Sequence, residues 1–154
     1  FAQENMTSIQ QQEVADIKRS AKLIVEVLKD TRDIQKNVNF YLKSKNDYIK
    51  QEYNLLRKEL ATILIDINLL DSNETQLEKL TQLEVIKSTL MANDLSNTGK
   101  IDALIREDKI KATMATSLIN DSATVYSIQK KLVEMASMLF LNNNLLKEIG
   151  DTQK

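Results

Sequence analysis

The chain has 154 residues, enough for one domain with a sizeable core. Hydrophobic residues make up 42% and charged residues 28%, which excludes a disordered chain, and a net charge of −1 leaves no nucleic-acid footprint. With no Cys and no His, disulfides are forbidden and the commonest general base and metal ligand are missing.

There is no proline, only two glycines and no Trp, so the core must be aliphatic and the elements long helices. The first helix is expected from about Met6 to Ser44, with a seam of Ile17, Ala21, Ile24, Leu28, Thr31, Gln35, Val38 and Leu42. The polar run Lys43–Asp47 ends it. The second helix carries the cleanest beat in the chain: Ile49, Tyr53, Leu56, Leu60, Ile63, Ile67 and Leu70 follow one another at alternating steps of four and three. Asp71 then reads as the cap of a third helix, with Glu74 three residues on closing a capping box. That helix uses Leu77, Leu80, Leu83, Ile86 and Leu90 and loses its pattern at Asn93–Gly99, the strongest breaker in the sequence. A short turn, Lys100–Arg106, leads to a fourth helix from about Asp108 through Leu118, Val125, Ile128, Leu132, Met135, Leu139, Leu146 and Ile149, ended by Gly150.

Short connections make neighbouring helices antiparallel, so the expected fold is an all-α, up-down-up-down four-helix bundle with both termini at one end. The first and fourth helices read as roughly 40 residues and the middle pair as roughly 25, so the outer pair should project by roughly 20 Å. Residues 1–154 then form one helical-bundle domain, with 1–16 and 137–154 as a stalk. Met135, Met138, Leu139, Phe140, Leu141, Leu145 and Leu146 are surplus apolar surface on that stalk, and a second copy of the chain, giving a homodimer, is the simplest cover.

Residues Asp33-Ile34-Gln35-Lys36-Asn37-Val38-Asn39-Phe40-Tyr41-Leu42-Lys43-Ser44-Lys45-Asn46-Asp47-Tyr48-Ile49 resemble the signature of the CHASE domain of the third type, a sensory extracellular domain associated with cyclases and histidine kinases. Asn73-Glu74-Thr75-Gln76-Leu77 falls where that family enters its third helix, and Leu104-Ile105-Arg106, Lys111-Ala112 and Met114 where it enters its fourth. The chain departs at Gln35 and Asn39, where the family usually has glutamate and arginine, and at Phe40 and Lys45, where it usually has glycine. The resemblance implies an extracytoplasmic domain, periplasmic or extracellular, joined to a bacterial inner membrane through flanking segments. Its output would be a histidine kinase, with a chemoreceptor or a cyclase as the other receptor readings. It does not imply a ligand.

Two constellations stand out. Asp94–Asp102 has the residue types of a calcium loop, but Ile105 stands where the bidentate glutamate belongs, so a helix-ending loop and no metal are expected. Thr31, Gln35 and Asn39 on the first helix, Lys87 on the third, and Ser117, Asp121 and Thr124 on the fourth are expected at one height, as a polar layer that binds a small-molecule or protein signal or sets register. The carboxylates sit beside lysines at helix-surface spacing, as Glu59 does near Arg57 and Lys58, so no enzyme chemistry and no cofactor is expected. A structural or docking bundle without a ligand is the alternative. The longest apolar run, Met138–Leu141, is far shorter than the ~20 residues of a membrane span, and the start at Phe1 without a signal peptide reads as an excerpt of a longer protein.

Overall fold

The structure, a computed structural model, describes residues 6–72 and 75–141, and for Leu95 and Ser96 the backbone alone. It contains α1 (Ser8–Tyr41), α2 (Asp47–Ser72), α3 (Gln76–Arg106) and α4 (Ala112–Phe140), with no strand among the described residues. The all-α four-helix bundle expected from the heptad beat is the observed architecture.

Each helix end has a local cause. Thr7 caps α1: its hydroxyl accepts from the Gln10 amide at 3.3 Å while the Gln10 side chain accepts from the Thr7 amide at 3.0 Å. Asn46 caps α2, its side-chain oxygen accepting from the amides of Tyr48 at 3.0 Å and Ile49 at 3.1 Å. The capping box of α3 is Thr75 with Glu78, not Asp71 with Glu74: Asp71 and Ser72 are the last residues of α2, and Glu74 lies outside the described residues. The displaced assignment has a simple reason, since Thr75 and Glu78 repeat the same spacing four residues later.

The largest correction concerns α3. The expected breaker at Asn93–Gly99 and the turn at Lys100–Arg106 are helical, so α3 runs for 31 residues. Ile101 and Leu104 thereby join Leu83, Ile86 and Leu90 in the core. Between them the seam is polar: Asp94 and Asn97 are half-buried, and the Asn97 amide donates to a Glu59 side-chain oxygen at 2.9 Å. Apolar periodicity fades there because a hydrogen bond to α2 replaces apolar contact. The calcium-loop reading falls with it, since a continuous helix cannot wrap its side chains around one ion. At the other end of the seam Leu77 is exposed rather than packed.

The actual turn is Glu107–Lys111. The Lys109 amide donates to the Leu104 carbonyl at 2.9 Å and the Asp108 amide to the Ile105 carbonyl at 3.1 Å. This is the paired pattern of a Schellman stop, with Asp108 at φ 52° where glycine is usual. Asn46 ties this turn to the α1–α2 connection by donating its side-chain amide to the Lys109 carbonyl at 2.9 Å.

The helix lengths follow expectation in part: α1, at 34 residues, is longer than α2, at 26, but α3, at 31, is not short. At 1.5 Å per residue, α3 spans about 46 Å and the described α4 about 44 Å, so the two are matched. Asp71, Gln76 and Lys79, from the ends of α2 and α3, line the same cleft as Met138–Leu141. The fourth helix therefore does not project beyond its neighbours within the described residues. Leu141 is buried, and Met135 and Phe140 pack partly on the core, so these three belong to the bundle itself. Lys79 lies over the Phe140 ring at 5.9 Å. Met138 is half-buried and Leu139 exposed; Leu145 and Leu146 lie outside the described residues.

The four helices are not equivalent. Helix α4 packs on all three others and buries Ala115, Leu118, Asp121, Val125, Ile128, Gln129, Leu132, Val133 and Ala136. Helix α1 packs extensively on α4 but sparsely on α2, and buries fully only Ser20, Ile34 and Tyr41. Its buried face matches the seam expected from sequence only at the C-terminal end, where Val38 and Leu42 pack partly on the core. Ser20, Leu23, Val27, Asp30, Ile34, Asn37 and Tyr41 are buried or half-buried, whereas Ile17, Ala21, Ile24, Leu28, Thr31 and Gln35 are exposed. The contrast is sharp at neighbouring stripes: Ile34 is 4% exposed and Leu28 65%. The inner face can carry Asp30 and Asn37 because α4 supplies Lys131 and Asp121 as their partners, and one residue step of an α-helix turns the other face away by about 100°.

Candidate functional site

The polar contacts concentrate where α1 and α2 meet α4. The Asp121 carboxylate, buried on α4, accepts from the Tyr53 hydroxyl of α2 at 2.6 Å and from the Asn37 amide of α1 at 3.0 Å. The Tyr53 ring stacks on Tyr41 with centroids 4.6 Å apart, and the Tyr41 hydroxyl donates to the Ser117 hydroxyl at 3.3 Å. Burial pushes the Tyr53 hydroxyl far above the ordinary tyrosine value, and the hydrogen bond and charge of Asp121 push it further the same way. Tyr53 is thus a neutral donor at any ordinary pH. With two donors from two other helices converging on one carboxylate oxygen, Oδ2, this cluster ties α1 and α2 to α4 and fixes register between the three.

A second group of contacts runs down the α1–α4 interface. Lys131 reaches Asp30 at 2.6 Å and Glu26 at 3.4 Å, and Arg19 pairs with Glu134. The hydrogen bond to Asp30 raises the Lys131 pKa, outweighing partial burial, with the Asp30 and Glu26 charges adding to it. On the opposite side of the bundle, Lys100 of α3 pairs at 2.6 Å with Glu52, whose side chain is 7% exposed.

The seven residues of the expected polar layer are dispersed. Ser117 and Asp121 meet in the cluster just described, joined by Asn37, Tyr41 and Tyr53. Thr31 and Gln35 instead line a groove of about 460 Å³ between α1 and α2, with Leu28, Val38, Leu56 and Leu60. Thr31 donates to its own helix at Val27, as Thr124 does at Asn120, so neither hydroxyl is directed to a partner helix. Asn39 is exposed. Lys87 pairs with Glu84 at 2.8 Å and borders a different groove, between α3 and α4. The layer fails as one site because the α1 seam used to align it faces outward.

Sequence reasoning missed Tyr53, Tyr41 and Asn37. The signal available was small: Tyr53 is the one residue with a hydroxyl in the otherwise aliphatic α2 seam, and a buried phenol needs an acceptor. Glu52 beside it, and Gln129 on α4, are buried polar residues that the apolar beat concealed.

Among the described residues no cluster of carboxylates could hold a metal ion, and no helix is long and apolar enough to cross a membrane. Comparison of the chain with protein-family models, with curated proteins and with solved structures finds no match.

Proposed function

We propose that the chain is an extracytoplasmic signal-sensing domain of a bacterial transmembrane receptor, of the histidine-kinase type, which passes a conformational change through α1 and α4 toward the membrane. The observation that carries this reading is the α1–α4 pair. The start of α1 and the described end of α4 line one cleft, and the two helices are joined along their length by Arg19–Glu134, Lys131–Asp30 and Asn37–Asp121. Such an interface favours a few discrete registers over a continuum, because a slip by one turn, about 5.4 Å, separates several charged partners together. The resemblance of residues 33–49 to a sensory-domain signature supports the same reading.

In this account the signal acts on the packing of α1, which α4 holds extensively and α2 only sparsely. Binding acts only through a difference in affinity between two packings. A docking bundle without a ligand is the second reading, favoured by the Asp121 cluster, which ties three helices together.

The chain has no cysteine, so one introduced at the exposed turn residue Glu107 is the one thiol of this domain, and labelling is read against the unsubstituted parent. In intact cells carrying the parent protein, Glu107→Cys reacts with a membrane-impermeant maleimide if the domain is extracytoplasmic. Labelling only after lysis overturns the receptor reading.

A further inference from the structure

We propose that α1 pairs with α1 of a second copy of this chain, parallel and in register, through its outward seam. The inference does not rest on the receptor reading, since a structural bundle with this surface would pair in the same way.

The seam is Val14, Ile17, Ala21, Ile24, Leu28, Thr31 and Gln35, spaced three-four-three-four-three-four. All seven are exposed, with Ile17 at 59% and Leu28 at 65%. A solvent-facing helix surface has no reason to keep apolar residues at this period. The period of 3.5 residues is the one a helix keeps when a second helix lies along its length in a left-handed supercoil. The bundle does not use this seam, because α4 takes the other one, at Ser20, Val27, Ile34 and Tyr41. Helix α1 thus carries two complete heptad seams, of which one is occupied.

The flanking charges select the occupant and its direction. One border of the seam carries Lys18, Val25 and Arg32. Antiparallel pairing centred on this seam would place that border against itself, bringing Lys18 toward Arg32 of the second copy. Parallel, in-register pairing instead places it against the opposite border, where Glu13 is exposed and Ser20, Val27 and Ile34 are turned toward α4. Glu13 then meets Lys18 of the second copy, and by symmetry the contact is made twice. Thr31 and Gln35 become facing polar positions inside the pair, the kind of residue that fixes register at some cost in strength. The groove between α1 and α2 lies along the same surface, where half-buried Leu60 of α2 adds apolar surface beside the seam.

Cysteine substitution in this Cys-free chain tests the pairing. In a parallel in-register pair, Ala21→Cys and Leu28→Cys each face their own copy. Under mild oxidation both single variants should form disulfide-linked dimers at least tenfold faster than Asp33→Cys, which lies on the solvent face of α1. Linking at only one of the two seam positions means antiparallel pairing and overturns the proposal. Linking at neither, or equally fast linking at all three, means that the seam does not hold a parallel in-register α1 and overturns it as well.

Discussion

The Tyr53 hydroxyl donates to the Asp121 carboxylate at 2.6 Å, joining α2 to α4 inside the bundle. Asp121→Ala strands both the Tyr53 hydroxyl and the Asn37 amide and should cost about 2–4 kcal/mol in urea unfolding. Tyr53→Phe removes one of two donors to a buried carboxylate and should cost about 1–3 kcal/mol. The double variant should cost less than the sum, because both single changes lose the same Tyr53–Asp121 hydrogen bond.

The same contact sets a pH dependence. The Tyr53 pKa is raised in the folded state, so the folded chain keeps a proton that the unfolded chain loses near pH 10. This stabilisation is complete below about pH 10 and declines as pH rises above it, by up to about 1.4 kcal/mol per pH unit. Tyr53→Phe should therefore show a shallower loss of stability than the parent chain between about pH 10 and 11.5 in pH-resolved denaturant titrations.

Ion pairs should differ by burial rather than by distance. Lys100→Ala leaves the buried Glu52 without its cation and should cost about 1–3 kcal/mol. Lys87→Ala breaks a pair of similar length, 2.8 Å, on the solvent face of α3, with Glu84 60% exposed, and should cost no more than about 0.5 kcal/mol. Chemical denaturation of the two variants side by side distinguishes them.

The continuity of α3 gives a test of opposite sign. Gly99 has no positive φ, and a Cβ there would meet nothing within 4 Å. Gly99→Ala should stabilise the chain by about 0.5–1 kcal/mol, whereas a glycine required by a loop would make the same change destabilising. Asp108→Gly, at the left-handed stop of α3, should also stabilise, and calorimetry reads both.

Much of the fold was legible because most apolar seams in this chain mark buried faces. Ile49 through Leu70 predicted α2 residue for residue, and four helices follow from four such stretches. The rest was hidden where polarity and burial part company. On α3, Asn97 occupies a seam position by bonding to Glu59, so a continuous helix read as a break. On α1, the more apolar of two adjacent seams is the exposed one over most of the helix. Ser20, Asp30 and Asn37 make the inner seam look solvent-facing, yet Asp30 and Asn37 are matched by Lys131 and Asp121 about a hundred positions away. Partners that distant leave no trace in local periodicity, and the expected polar layer fails for the same reason.

The two faces of α1 should respond differently to truncation. Ile34→Ala opens the core and should cost about 2–5 kcal/mol, while Leu28→Ala at low protein concentration should stay within about 0.5 kcal/mol of the parent.

The central claim, that the outward seam of α1 is an interface, is tested most directly by sedimentation equilibrium of the chain beside an Ile24→Lys/Leu28→Lys variant. The parent chain should show a concentration-dependent monomer–dimer equilibrium, and the variant should be monomeric with its helical content and dilute unfolding midpoint retained. A parent chain that stays monomeric to millimolar concentration, or a variant that dimerises as well as the parent, would contradict it.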